Sequence, residues 1–346
     1  MKRLALALVL VACGSPNSGS DTGPRDDAYA SPAPDTGPRG SQQAPPDSFW
    51  GDRTTIPHAT QVMTFQFLNR TNGVLDDAHV FWRFENSAIH ELHSIAEASS
   101  YDMPANNSGR MYFYLCPSDQ PASCITDPEH SPYYDFIEHT IGTDRYNGNT
   151  TRVDAFGIKI AMLLHCADGF EQAVGEDYAT FQEDRAATFQ RFIDEVPDEF
   201  DRLAMAPHAP YRIVEPGADG FGDGDAYAHY YDDFASALWS TNGLTIAMPG
   251  PNGSGLGSNP DVSAALMRHV GAVAGTFAPD GTLMNHALWD DSATFYPQSP
   301  ADYYARFWHD HGIDGHAYGF PYDDVGSYSS YVSHQNPEYL IVAIGW

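Results

Sequence analysis

Two strand-like stretches constrain the fold of this chain more than any other feature: Asp135-Phe136-Ile137-Glu138-His139-Thr140-Ile141 and Thr150-Thr151-Arg152-Val153-Asp154-Ala155-Phe156. The segment between them contains Gly142, Asn147, Gly148 and Asn149, which suits a hairpin connection. Side chains alternate across a strand, so Phe136, Glu138 and Thr140 share a face, as do Arg152, Asp154 and Phe156 on the second strand. Folding the hairpin about Tyr146 sets Glu138 opposite Asp154. Like charges opposed on a sheet are destabilising, so such a pair calls for a use. Glycoside hydrolysis is one chemistry that needs two carboxyls flanking a bond. The alternative is a chance pair in an acidic chain, with Arg152 as a structural counter-charge.

That acidity is itself informative. Asp and Glu number 46 against 17 Lys and Arg, a net charge of −29. The excess argues against nucleic acid or an anionic surface as partner and is compatible with a neutral polysaccharide. The 20 Tyr, 19 Phe and 6 Trp would suit sugar stacking but equally serve a core.

The chain opens Met1-Lys2-Arg3, followed by an apolar run from Leu4 to Ala12 that is too short to span a membrane. This reads as a signal peptide over 1–12. The run ends Leu10-Val11-Ala12-Cys13-Gly14, which resembles a bacterial lipobox, so Cys13 is the expected lipidation site, with an ordinary secretory signal as the alternative. The expected location is the cell surface or outer membrane, with the lipid as the sole membrane contact. Residues 13–49, rich in Gly, Ser, Pro and Asp at their start, read as a disordered tether. Export permits disulfides. Cys116 and Cys124 bracket a Pro-containing loop after the strand-like Arg110–Leu115, so a local bridge is expected there, with Cys166 a buried thiol.

Residues 50–346 then form the folded region. Strands are expected over 62–68, 78–84, 110–115, the hairpin, 158–164 and 339–344, and helices over 177–196, over 261–274 and from Ser299. Strands at both ends with helices between suggest a β-rich α+β protein: a β domain from about 57–165 plus 312–346, and a mixed α/β insertion over 166–311.

The segment Phe136-Ile137-Glu138-His139-Thr140, the step to Val153-Asp154-Ala155-Phe156, and the run from Tyr303 through Ile313-Asp314-Gly315-His316 to Tyr322-Asp323-Asp324-Val325 resemble glycoside hydrolase family 64, the β-1,3-glucanases that include laminaripentaose-producing enzymes. The resemblance spans roughly residues 57–346. It implies a thaumatin-like β-barrel or sandwich domain packed on a mixed α/β domain with a wide groove between. It also implies inverting, endo-type hydrolysis of β-1,3-glucan by a monomer without a cofactor. Glu138 would be the general acid and Asp154 the general base, and Thr140 and Thr151 would line the sugar groove. Gly142 and Asn147 depart from the pattern, standing where the family often has a polar residue and a Trp. Asp323 and Asp324 would either bind sugar hydroxyls or cap the turn before Gly326.

Other patterns are weaker. Asp219-Gly220-Phe221-Gly222-Asp223-Gly224-Asp225 fits no standard calcium loop and reads as a solvated turn. His309, His311 and His316 lack a catalytic zinc spacing, so no metal is expected. A non-catalytic β-glucan lectin is the competing function; it would have no need of the two carboxylates.

Overall fold

A computed structural model describes residues 40–85, 90–118, 124–125, 131–255, 259–289 and 291–346. The expected signal segment, Cys13 and the tether as far as residue 39 lie outside the described residues. Folded structure begins before the expected boundary at residue 50. Phe49 and Trp50 are buried, Phe49 sits edge-on to Phe181 at 5.0 Å, and Ser41 Oγ donates to Asp177 at 2.6 Å. An aromatic pair with an apolar partner does not stay in a solvated tether.

The strands are β1 (Met63–Asn69), β2 (Val80–Glu85), β3 (His90–Ser94), β4 (Ser100–Met103), β5 (Asn106–Leu115), β6 (Tyr134–Ile141), β7 (Arg145–Thr150), β8 (Ala155–Phe156), β9 (Lys159–Cys166), β10 (Glu171–Gly175), β11 (Ile213–Val214), β12 (Tyr331–Gln335) and β13 (Pro337–Gly345). Two sheets stack. One runs β10-β9-β13-β1-β4 and the other β12-β7-β6-β5-β2-β3, while β8 and β11 form a separate pair. Among the described residues neither large sheet closes on itself, so the architecture is an open sandwich and not a barrel. Its core is filled by the inward side chains of both sheets, including Phe65, Phe67, Trp82, Phe113, Ile137 and Val342. The C-terminal β13 lies parallel to β1 and joins the two ends of the folded region in one sheet.

Between β10 and β12 the chain carries β11 and the α-helices α1 (Tyr178–Gln182), α2 (Arg185–Glu195), α3 (Asp232–Asn242), α4 (Pro260–Met267) and α5 (Tyr303–Asp310). These elements surround their own core, which includes Phe156, Phe192, Leu238, Leu266, Tyr304 and Trp308. The helix expected over 177–196 is two, because Asp177 and Asp184 each cap a new N-terminus, accepting from Thr180 N–H and Ala187 N–H. The helix expected to reach Ala274 stops at Met267, before the left-handed His269 (φ 51) and Gly271 (φ 84). The last helix begins at Tyr303, capped by Asp302 and not by Ser299. The sequence reading had no helix at α3, although Asp232 and Asp233 in its first turn and the left-handed Gly243 after it are ordinary end signals. Cys116 and Cys124 are joined by a disulfide, and Cys166 is buried and free.

Candidate active site

Strand β6 alternates as expected. Asp135, Ile137, His139 and Ile141 face inward, while Glu138 and Thr140 emerge on the outer face. His139, directly behind this face, lies among Phe65 and Phe84, and burial pushes its imidazole down to about 3.

The hairpin register differs from the expected one. Glu138 is paired with Asn149, not Asp154, and the chain reverses over Thr143 and Asp144, closed by Gly142 N–H to the Arg145 carbonyl at 2.8 Å. The reason is Tyr146. The expected fold puts it at the turn tip, in water. Instead it is fully buried between the sheets, near Phe65 at 6.1 Å, with its hydroxyl against Met162 Sδ at 3.8 Å. Pulling this ring inward moves the turn toward Gly142 and slides β7 along β6. Gly148 permits the ring's position, because a Cβ there would collide with the Tyr146 hydroxyl.

This register builds a straight row across five strands of the outer face. Tyr331 on β12 pairs with Asn149, Asn149 with Glu138, Glu138 with Arg110 on β5, and Arg110 with Glu85 on β2. Arg110 Nη2 lies 3.1 Å from Glu138 Oε1, and its Nε donates to the same oxygen at 3.2 Å. The guanidinium sits over the Phe136 ring at 4.3 Å. Beside it opens a hollow of about 310 Å³ lined by Glu85, Ser108, Gly109, Arg110 and Tyr112. At the other end of the row Tyr331 is exposed, and its hydroxyl donates to Asn147 Oδ1 at 3.0 Å.

Asp154 stands apart, exposed on a bend between β7 and β8. Its neighbour is Glu215, reached where β8 pairs with β11, whose N–H donates to the Asp154 carbonyl at 3.3 Å. Burial pushes the Glu215 carboxyl up to about 7, and the charge of Asp154 adds to the rise. The bend is held from below. Arg152 is buried and is no counter-charge to Asp154: it pairs with Asp135 at 2.7 Å and Glu176 at 2.6 Å. Asp135 also accepts from Gly157 N–H at 2.9 Å, and Tyr304 of α5 donates to the Arg152 carbonyl at 2.6 Å. Tyr318 links the two acids' surroundings. Its carbonyl accepts from Arg152 N–H at 2.7 Å, and its hydroxyl is pushed up to about 12 by burial and then by Asp324, Asp323 and Glu138.

The other expected sugar ligands divide. Thr140 is exposed beside Glu138, and Asp324 is exposed. Thr151 is buried, and its hydroxyl turns back to accept from Val153 N–H at 3.2 Å. Asp323 is wholly buried and cannot reach a sugar. It accepts from Arg268 at 2.9 Å, His309 at 2.9 Å and Gly319 N–H at 2.8 Å. Burial pushes its carboxyl up, but His309 and Arg268 more than offset this and hold it below the usual range. Its work is to fix the segment that presents Asp324. Arg110, Asn149, Tyr318 and Glu215 were not singled out from sequence. Alternation alone puts Arg110 on the outer face of its strand, but only the register reveals its neighbour.

The weak metal patterns are absorbed by local contacts. Asp219 pairs with Arg202 and His208, and Asp225 accepts from Gly220 and Gly222 N–H. His309 contacts Asp323, and His311 contacts Glu195. Among the described residues no group of three or more His, Cys, Asp or Glu is disposed to hold a metal ion.

Comparison with known proteins bears on this arrangement. The family model described as β-1,3-glucanase matches residues 88–259 and 259–344. The laminaripentaose-producing β-1,3-glucanase of glycoside hydrolase family 64 from Paenibacillus barengoltzii is 30% identical, with a TM-score of 0.66 over 85% of this chain and 78% of that one. The same enzyme's structure with laminarihexaose gives 29% identity and a TM-score of 0.67 over 86% and 78%. A family 64 β-1,3-glucanase domain from Clostridium beijerinckii, 21% identical, shares the fold with a TM-score of 0.68 over 84% of this chain and all of that domain (100%). No curated protein matches the chain.

Proposed function

The chain belongs to glycoside hydrolase family 64, the β-1,3-glucanases, and from that membership we propose that Glu138 and Asp154 carry an inverting, endo-type cleavage of β-1,3-glucan. The observation that carries this reading is the solvent-facing position of both carboxylates: Glu138 within the polar row of the outer sheet, and Asp154 on the adjoining bend. In the reaction Glu138, protonated, gives its proton to the bridging oxygen as the C1–O bond breaks. A water oxygen attacks C1 from the opposite face, and its proton passes to Asp154. Glu138 ends as carboxylate and Asp154 as acid, and exchange with solvent restores both. No covalent intermediate forms.

Inversion needs carboxyls about 6.5–9.5 Å apart, more than the roughly 5 Å between Cβ atoms of directly opposed strand residues. The observed register supports inversion, because Asp154 is not the cross-strand neighbour of Glu138. Thr140, Asn149, Tyr331 and Asp324 are the candidate sugar contacts, and laminarihexaose in the relative's complex is a suitable length of ligand to test them. Cys13 would carry the lipid that tethers the enzyme at the cell surface, which release of the protein by Cys13→Ser would test.

The test of the carboxylate roles uses the full-length chain, Glu138→Gln and Asp154→Asn on linear β-1,3-glucan, with anomer detection by NMR. Each variant should lose about 10²–10⁴-fold in kcat, and the first-formed product should be the α-anomer. A β-anomeric product would overturn inversion. Glucan retention without hydrolysis by the unmodified chain would favour a binding protein.

A further inference from the structure

The contact between Arg110 and Glu138 has a one-sided geometry. Nε of the guanidinium donates to Oε1 at 3.2 Å and Nη2 lies 3.1 Å from the same oxygen, while among the described residues Oε2 accepts no hydrogen bond. A guanidinium has only donors. An oxygen that already accepts the Nε–H and lies against Nη2 is the wrong one to carry a proton, so a protonated Glu138 carries it on Oε2. The pair is partly solvated, with side chains 33% and 30% exposed, so a substrate oxygen can approach Oε2. Arg110 itself is held firmly, over the Phe136 ring, beside Tyr112, and between Glu138 and Glu85 in the row.

We propose that Arg110 is the positioning residue of the general acid: it confines the transferable proton to Oε2 of Glu138 and stabilises the carboxylate left after transfer. The proposal rests on Glu138 being the acid. No bond is made or broken by Arg110; it stays charged throughout. It favours proton release to the glycosidic oxygen, and it fixes which carboxyl oxygen faces that oxygen. The titratable and charged groups around Glu138 are Arg110 from β5, Tyr318 and the exposed Asp324 from the segment after α5, and Asp154 across the substrate in the proposed mechanism, while β7 offers Asn149, which has no charge. The Tyr318 hydroxyl, pushed up to about 12, does not titrate in the working range. Tyr112 hydrogen-bonds Arg110, and Glu85, the cross-strand partner of Arg110, is ion-paired with Arg83.

The experiment is the pH dependence of kcat/KM on linear β-1,3-glucan for the full-length chain, Arg110→Gln, Arg110→Lys and Glu138→Gln. Arg110→Gln should move the alkaline limb up by about one pH unit and lower kcat at the optimum with little change in KM. Arg110→Lys should return the limb toward its original position, because the cation is back, while kcat recovers only in part, because a point charge does not reproduce the planar fork. A merely structural Arg110 would lower activity without moving the limb. If Arg110→Gln melts early, Phe136→Leu loosens the guanidinium without removing it and should move the limb the same way by less. An unmoved limb, or a lysine variant indistinguishable from the glutamine one, overturns the proposal. If Glu138→Gln is inactive and the limb unmoved, only the role of Arg110 falls. If Glu138→Gln stays active, the acid assignment falls and takes this proposal with it.

Discussion

Glu138 and Asp154 are supported in opposite ways. Glu138 stands in the middle of a six-stranded sheet, where ladder hydrogen bonds on both sides set its place and its nearest charge, Arg110, lies on the surface. Asp154 stands on a bend outside both large sheets, where a buried charge web of Arg152, Asp135 and Glu176 does the holding. A ladder spreads its positional control over many weak bonds, so single substitutions there should act locally. A buried ion web concentrates control in a few groups, so one loss should be felt across the bend.

The sharpest way to break this contrast is Arg152→Met. It leaves Asp135 and Glu176 buried without their shared cation, and the expected loss is about 3–5 kcal/mol of unfolding free energy together with most of the activity. Urea unfolding and glucan hydrolysis on the same sample would check both. A fully stable variant would mean that the web is not what holds the bend.

A smaller effect is expected at Asp302, the buried cap of α5. Burial pushes its carboxyl up to about 7 from an ordinary 3.8. Between those values the folded protein holds a proton that the unfolded chain has released. Its stabilising share is therefore complete in acid, declines as pH rises toward 7 and is gone above it. Asp302→Asn can still cap α5 and carries no charge at any pH. It should gain about 2–4 kcal/mol over the parent above neutrality and little in acid, as paired melts in acid and in alkali would reveal. An equal gain at both pH values would exclude a buried-carboxyl cause.

The smallest effect belongs to the surface end of the row. Tyr331→Ala removes an exposed ring and should raise KM about two- to tenfold with kcat nearly unchanged. Stability should hardly move. A fall in kcat without a change in KM would show that the ladder face transmits strain as the web does.

Much of the β framework was legible, because β1, β5, β6, β9 and β13 each carry apolar residues in the alternating or continuous patterns of strands. The outer-face position of Glu138 and Thr140 followed from alternation alone. The helix ends were legible only where one cap dominated. Asp184 restarts a helix inside what reads as one continuous amphipathic stretch, a competition that periodicity does not report. Thr151 was expected in the sugar groove from the family resemblance, and Asp323 either at the sugar or capping the turn before Gly326, but Arg268 and His309, distant in sequence, draw Asp323 inward.

The amino-acid order by itself determined the β-rich α+β class, the faces of β6, the local bridge of Cys116 to Cys124 and the net acidity, since each depends on neighbours in sequence or on composition. Only the tertiary structure decided which residue stands beside Glu138. Alternation has a period of two and says nothing of register. The register was chosen by the burial of Tyr146 between two sheets, and that one ring exchanged Asp154 for Asn149 across from Glu138 and aligned Arg110 on its other side.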